Sequence, residues 1–160
     1  MNSCTRCASP WKGTDMERKP LKQVLEENGE VVIRTVGTSM EPLLHANEST
    51  VLVRRKTTPC RKGDVVLFLR PGGQYVLHRV VKAGKELRVQ GDNLPWAESI
   101  PESSVIGVMA GYHPHTNSVF RPVTGGVYKV YQLLLPVRRG CITLRAMVGR
   151  LCRKWKEVKR

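Results

Sequence analysis

Gly37-Thr38-Ser39-Met40-Glu41-Pro42 is a short turn set between two strand-like runs. Upstream, Glu30 to Val36 alternates and is rich in β-branched residues, which predicts a strand. Downstream, Met40-Glu41-Pro42-Leu43-Leu44 has the composition of a single helical turn, and Ser49 to Arg55 reads as a second strand. A serine in a glycine-containing turn directly after a strand is open to another backbone, and the amides around it are free of strand pairing. Ser39 is therefore a candidate nucleophile.

The strand-and-turn rhythm continues from there. Pro59 to Gly63 is turn chemistry, and Asp64 to Leu69 is a nearly all-apolar strand of the kind that buries both faces. Pro71-Gly72-Gly73 predicts a hairpin returning as Gln74 to Val81. Lys82 to Lys85 turns into Glu86–Gln90, Gly91 opens a loop, and Ser104 to Tyr112 is a last long strand. Short strands at this spacing predict a mainly β fold, an antiparallel barrel or pair of sheets. Ahead of it, residues 1–13 read as a loose tail. Thr14 or Asp15 then caps a short helix with Leu21, Val24 and Leu25 on one face, ending at Asn28-Gly29.

At 160 residues the chain makes about one domain. Its net charge of +14 is unevenly spread. Residues 30–120 carry eleven bases and eight acids, whereas residues 121–160 hold eleven Lys and Arg against the single acid Glu157. The expected organisation is a body over residues 14–120 and a basic, largely helical extension over residues 121–160. In that extension Val127–Leu135 has helical spacing until Pro136, expected to break it. From Cys141 onward, Leu144, Met147, Val148, Leu151, Trp155 and Val158 share one face, with Arg145, Arg153, Lys156 and Arg160 opposite. Such a basic amphipathic helix either docks on a membrane surface or partner, or packs its apolar face on the body.

Other classes are set aside here. The longest charge-free stretch, Ser103 to Phe120, is too polar for a membrane span, and the start lacks the order of a secretory signal. Five scattered cysteines (Cys4, Cys7, Cys60, Cys141 and Cys152) argue against a disulfide framework and for a reducing compartment. Cys4 and Cys7 have metal-ligand spacing but no second pair, and His113 and His115 lack a third ligand, so neither a metal nor a cofactor is expected.

A serine hydroxyl needs a neighbour to take its proton and donors to hold the oxyanion. His78, mid-strand in Leu77-His78-Arg79-Val80, is the candidate general base, and either Asp92 or Glu98 is available to orient it. Each signal has an ordinary alternative: a hydrogen-bonded structural His, or a Ser that only makes a turn. His45 is read as a surface residue, Met40 as an apolar anchor below the turn, and Trp96 as either a cleft wall or a packing plug.

Order and spacing are more specific than any single residue. From about Glu30 to Tyr112 the chain resembles the catalytic domain shared by type I signal peptidases and LexA-like self-cleaving repressors, serine peptidase families S24 and S26. Gly37-Thr38-Ser39-Met40-Glu41-Pro42 resembles the nucleophile motif, Lys62-Gly63-Asp64-Val65-Val66 the strand entry, and His78-Arg79-Val80-Val81 the base motif. Gly91-Asp92-Asn93 resembles the acidic motif and Val105-Ile106-Gly107-Val108 the closing strand. A His rather than a Lys at position 78 is similar to the archaeal and endoplasmic-reticulum branch. That likeness implies that Glu98, where the branch usually has Asp, orients His78, with Asp92 structural or assisting. It also implies an oxyanion hole at the Ser39 amide with Thr38 a helper, because Gly37 replaces a Ser common at that position in signal peptidases.

The resemblance implies a serine endopeptidase acting on an extended peptide or precursor protein. Two other readings are a LexA-like self-cleaving regulator and a catalytically inactive peptide-binding relative. The first needs a DNA-binding segment, for which 29 residues before the first strand are too few, and no specific nucleic-acid partner is expected. The expected location is cytoplasmic, or peripheral at the inner face of a membrane, with residues 140–160 on anionic lipid.

Overall fold

A computed structural model describes residues 20–158. The expected tail, the Cys4–Cys7 pair and the Thr14 or Asp15 cap lie outside the described residues. In chain order the elements are α1 (Leu21–Asn28), β1 (Glu30–Arg34), β2 (Thr50–Arg55), β3 (Val65–Leu69), β4 (Tyr75–Lys82), β5 (Glu86–Gln90) and β6 (Glu98–Pro101). A 3₁₀ turn at Glu102–Ser104 leads into β7 (Val105–His113), β8 (Arg121–Pro122) and α2 (Gly126–Val158). Gly29 ends α1 in the left-handed conformation, φ 77°, its N–H bonding the Leu25 carbonyl at 3.0 Å.

The strands form one antiparallel sheet in the order β1-β2-β7-β3-β4-β5-β6, with β8 beside β7. The path is open, with β1 and β6 at its ends, rather than closed as a barrel. The reason lies in β3, whose apolar sequence buries both faces. Val65 and Leu67 enter one core with Leu25, Met40, Leu44, Val51, Val53 and Met109. Val66 and Phe68 enter a second with Val80, Leu87, Val89, Ile100 and Val105. A barrel needs only one apolar face per strand, whereas here β3 has a core cluster on each of its faces.

Two departures from the sequence reading have local causes. The expected loop after Gly91 contains β6, which pairs Glu98–Pro101 with Val89–Glu86. Only four residues long and ending in Pro, it shows little periodicity, and as an edge strand it tolerates that Pro. The second departure is α2, which runs through Pro136 as one helix of 33 residues. An internal Pro costs a helix about 3 kcal/mol. Tertiary contacts on both sides of it offset that cost. Before Pro136, Tyr128 and Leu135 are buried and Gln132 Nε2 donates to the Gly63 carbonyl at 3.1 Å. After it, Arg138 Nη2 donates to the Glu41 carbonyl and to Asn93 Oδ1, both at 3.1 Å, and Arg139 Nη2 to Asp92 Oδ1 at 3.2 Å.

The clamp centres on a buried ion pair. Arg79 is 2% exposed and Asp92 fully buried, joined by Nε–Oδ1 at 2.9 Å and Nη2–Oδ2 at 2.7 Å. Arg79 Nη1 also donates to the Gly63 carbonyl and to the Tyr128 hydroxyl, while Tyr131 donates its hydroxyl to Asp92. Burial works against the charged guanidinium, but the bond and charge of Asp92 outweigh it and hold Arg79 above its ordinary value. Arg79→Ala leaves a carboxylate buried without its main partner, and urea titration is expected to show a loss of about 3–5 kcal/mol. A loss under about 1 kcal/mol, the scale of an ordinary hydrogen bond, would refute the pair as the clamp of β4 to α2.

Candidate active site

The turn after β1 is shaped from both sides. Gly37 has φ 84°, which a side chain strains, so a glycine there is a backbone requirement. Met40 is buried beneath the turn with Leu43 and Leu44 and anchors it to the core. The Gly91-Asp92-Asn93 loop supports it from the other side. Asn93 N–H donates to the Ser39 carbonyl at 2.8 Å, and Asn93 Nδ2 to the Thr38 carbonyl at 3.2 Å. A Cβ on Gly91 would stand 2.6 Å from that Ser39 carbonyl, so only glycine permits the approach. Ser39 is half-buried, Gly37 and Thr38 are exposed, and among the described residues the N–H groups of Thr38, Ser39 and Met40 donate no hydrogen bond.

His78 sits mid-strand in β4, opposite Val66 of β3, and is 4% exposed. Its Nδ1 is 2.9 Å from Oε1 of Glu98, the first residue of β6. Arg70, just past the end of β3, grips the same carboxylate: Nε to Oε2 at 3.1 Å, and Nη2 to Oε1 and Oε2 at 2.7 and 2.9 Å. Gln74 in turn accepts from Arg70 Nη1 at 3.2 Å. Burial pushes the His78 imidazole below its ordinary value; Glu98 opposes this and Arg70 adds to it. Burial pushes Glu98 upward, but the bond and charge of Arg70, aided by His78, hold its carboxyl below the usual range. The site therefore contains a neutral imidazole held by an ionised carboxylate. With that carboxylate at Nδ1, the proton belongs there and Nε2 carries the lone pair.

Of the two candidate acids, Glu98 alone meets His78. Asp92 is bonded to Arg79, Tyr131 and Arg139 and belongs to the scaffold. Ser39 and His78 line one cavity of about 600 Å³, together with Gly37, Thr38, Met40 and Trp96. Among the described residues no hydrogen bond joins the Ser39 hydroxyl to His78. Trp96, 63% exposed, is a wall of this cavity and not a packing plug.

Two residues escaped the sequence reading. Arg70 stands at a strand end before a Pro-Gly-Gly turn, and no spacing links it to a carboxylate 28 positions on. Asn93 was visible as part of a motif, but its grip on the Ser39 turn across 55 residues was not. The other histidines lie apart: His45 stacks on His115 at 4.9 Å, His115 meets Glu48 at 3.0 Å, and His113 Nδ1 is 2.8 Å from the Ser118 carbonyl oxygen. Among the described residues no group of three His, Cys, Asp or Glu is placed to hold a metal.

No curated protein matches the chain. The family model described as Peptidase S24-like matches residues 10–112, which include the Ser39 turn, His78 and Glu98. By that match, over more than half its length, the chain belongs to the Peptidase S24-like family.

Proposed function

We propose that the protein is a serine endopeptidase in which Ser39 is the nucleophile, His78 the general base and Glu98 the acid that orients it. The observation that carries this reading is the shared cavity: a serine with free amides beside it faces the same space as a carboxylate-held, neutral imidazole. Peptide entry brings the Ser39 hydroxyl to within about 3 Å of His78 Nε2. Nε2 then takes the proton as Oγ attacks the scissile carbonyl, and the oxyanion is received by the Ser39 N–H with its free neighbours. The imidazolium returns that proton to the leaving amine. Water, deprotonated by the same nitrogen, then hydrolyses the ester on Ser39.

The substrate is an extended peptide. β1 is an end strand of the sheet, and Ile33, Arg34, Thr35 and Val36 at and beyond its end line the cavity, so a peptide adds beside them as a further strand. Leu67, Leu77, Leu94 and Trp96 give the opposite wall an apolar character that suits apolar side chains next to the scissile bond. Arg70 is a positioning residue: it holds Glu98, and through Glu98 the ring of His78.

Ser39→Ala is expected to abolish cleavage of a peptide library without changing the melting temperature; retained cleavage refutes the nucleophile. His78→Ala is expected to lower kcat by several orders of magnitude, roughly 10³-fold or more. The base works neutral, so the rate falls as pH drops through the His78 value, which lies below the ordinary 6.5. A flat rate from about pH 5 to pH 8 would count against imidazole as base. Arg70→Ala is expected to lower kcat roughly 10- to 100-fold and to move the acid limb to higher pH, since a positive charge that disfavours imidazolium is gone. Arg70→Lys, which keeps the charge, leaves the limb near its wild-type position. A loss of rate with no movement of the limb in Arg70→Ala would mean that Arg70 only braces the hairpin.

A further inference from the structure

The first half of α2 docks through Tyr128, Tyr131, Gln132, Leu135, Arg138 and Arg139, which leaves the opposite side turned to solvent. That outward side is apolar. Val130 is 57% exposed, Leu133 77%, Val137 69% and Leu144 64%, and Val127, Leu134, Met147 and Val148 are also more than half exposed. At 100° and 1.5 Å per residue these eight side chains make one stripe about 160° wide and about 30 Å long. The stripe does not fold back on the body: Leu144, Met147 and Val148 are all more than half exposed, while the side chains of Leu151, Trp155 and Val158 lie outside the described residues.

The charge beside the stripe is of one sign. Among described side chains α2 carries Lys129, Arg138, Arg139, Arg145 and Arg150 and no acid. By helical spacing Lys129 lies on one border of the stripe and Arg145 on the other. A second copy of the chain would bring like charges together along that length, which opposes self-association. A planar anionic surface instead takes the apolar residues into its acyl boundary and the bordering cations into its headgroups. No described helix is long and apolar enough to cross a membrane, and a stripe on one side of a helix otherwise docked to protein suits lying along the surface.

We infer that α2 is a membrane-surface docking helix that lays its outward stripe, Val127 to Val148, on a bilayer of anionic lipid. Arg138, bonded to the Glu41 carbonyl two residues past Ser39, couples the docked helix to the Ser39 turn. Bilayer contact thus holds the cavity at a fixed height over the lipid. The docking itself is independent of the proposed chemistry.

The test is co-sedimentation of the full chain with vesicles of phosphatidylcholine alone and of phosphatidylcholine with phosphatidylglycerol. Partition onto the anionic vesicles is expected to be at least about tenfold stronger and to weaken as salt rises. Net charge alone attracts anionic lipid, so the deciding variant is Leu133→Gln/Val137→Gln/Leu144→Gln, which leaves the charge untouched. It is expected to lose about tenfold in partition while keeping the wild-type melting temperature. Undiminished partition in that variant would show that charge without the stripe carries the binding, and would overturn the proposal. So would the absence of vesicle binding by wild type, or a wild-type dimer in light scattering that the variant turns to monomer without any vesicle affinity.

Discussion

A guanidinium and a carboxylate buried together, Arg79 and Asp92, join four parts of the chain that are far apart in sequence. Arg79 belongs to β4, Asp92 to the loop after β5, the Gly63 carbonyl to the turn before β3, and Tyr128, Tyr131 and Arg139 to α2. A buried ion pair is weak evidence for stability as such, because desolvation offsets its attraction. Here its effect is positional. His78 is the next residue along the same strand, and consecutive strand side chains point to opposite faces. Fixing Arg79 on one face therefore fixes His78 on the other. The same loop that supplies Asp92 supplies Asn93, which bonds the carbonyls of Thr38 and Ser39. One cluster of contacts thereby sets the height of both chemical groups.

The two acids that flank Trp96 show how environment divides roles between similar side chains. Asp92 is fully buried, meets two arginines and a tyrosine, and is committed to structure. Glu98 is partly exposed, shared between Arg70 and His78, and remains next to the cavity. Its longer side chain suits this arrangement, because it begins on an edge strand and spans to both β4 and the β3–β4 hairpin. The resulting line of Arg70, Glu98 and His78 alternates in charge when the ring is protonated, while burial and Arg70 hold the imidazole below its ordinary value.

The basic helix joins scaffold and surface. One side closes the Arg79–Asp92 cluster, and the other presents large apolar groups to solvent. Its docking is imperfect in detail, since Arg138 and Arg139 each bury an Nε with no partner among the described residues. The cost of Pro136 is met in the same way as those losses, by contacts that hold the helix from both sides.

Period-two alternation, an all-apolar strand and Gly and Pro punctuation are local properties, and they made β1 to β5 and β7 legible along the chain, with the Ser39 turn and the His78 strand placed among them. They also marked the apolar face of the C-terminal helix. Local signals do not carry partners. That Glu98 meets His78, that Arg70 holds Glu98, that a strand forms at Glu98–Pro101, that α2 runs through Pro136 and that its apolar side turns outward were all decided by contacts between residues 9 to 97 positions apart. The physical reason is that side-chain periodicity encodes which face is buried, while hydrogen-bond partners and helix continuity depend on what the folded chain brings to that face.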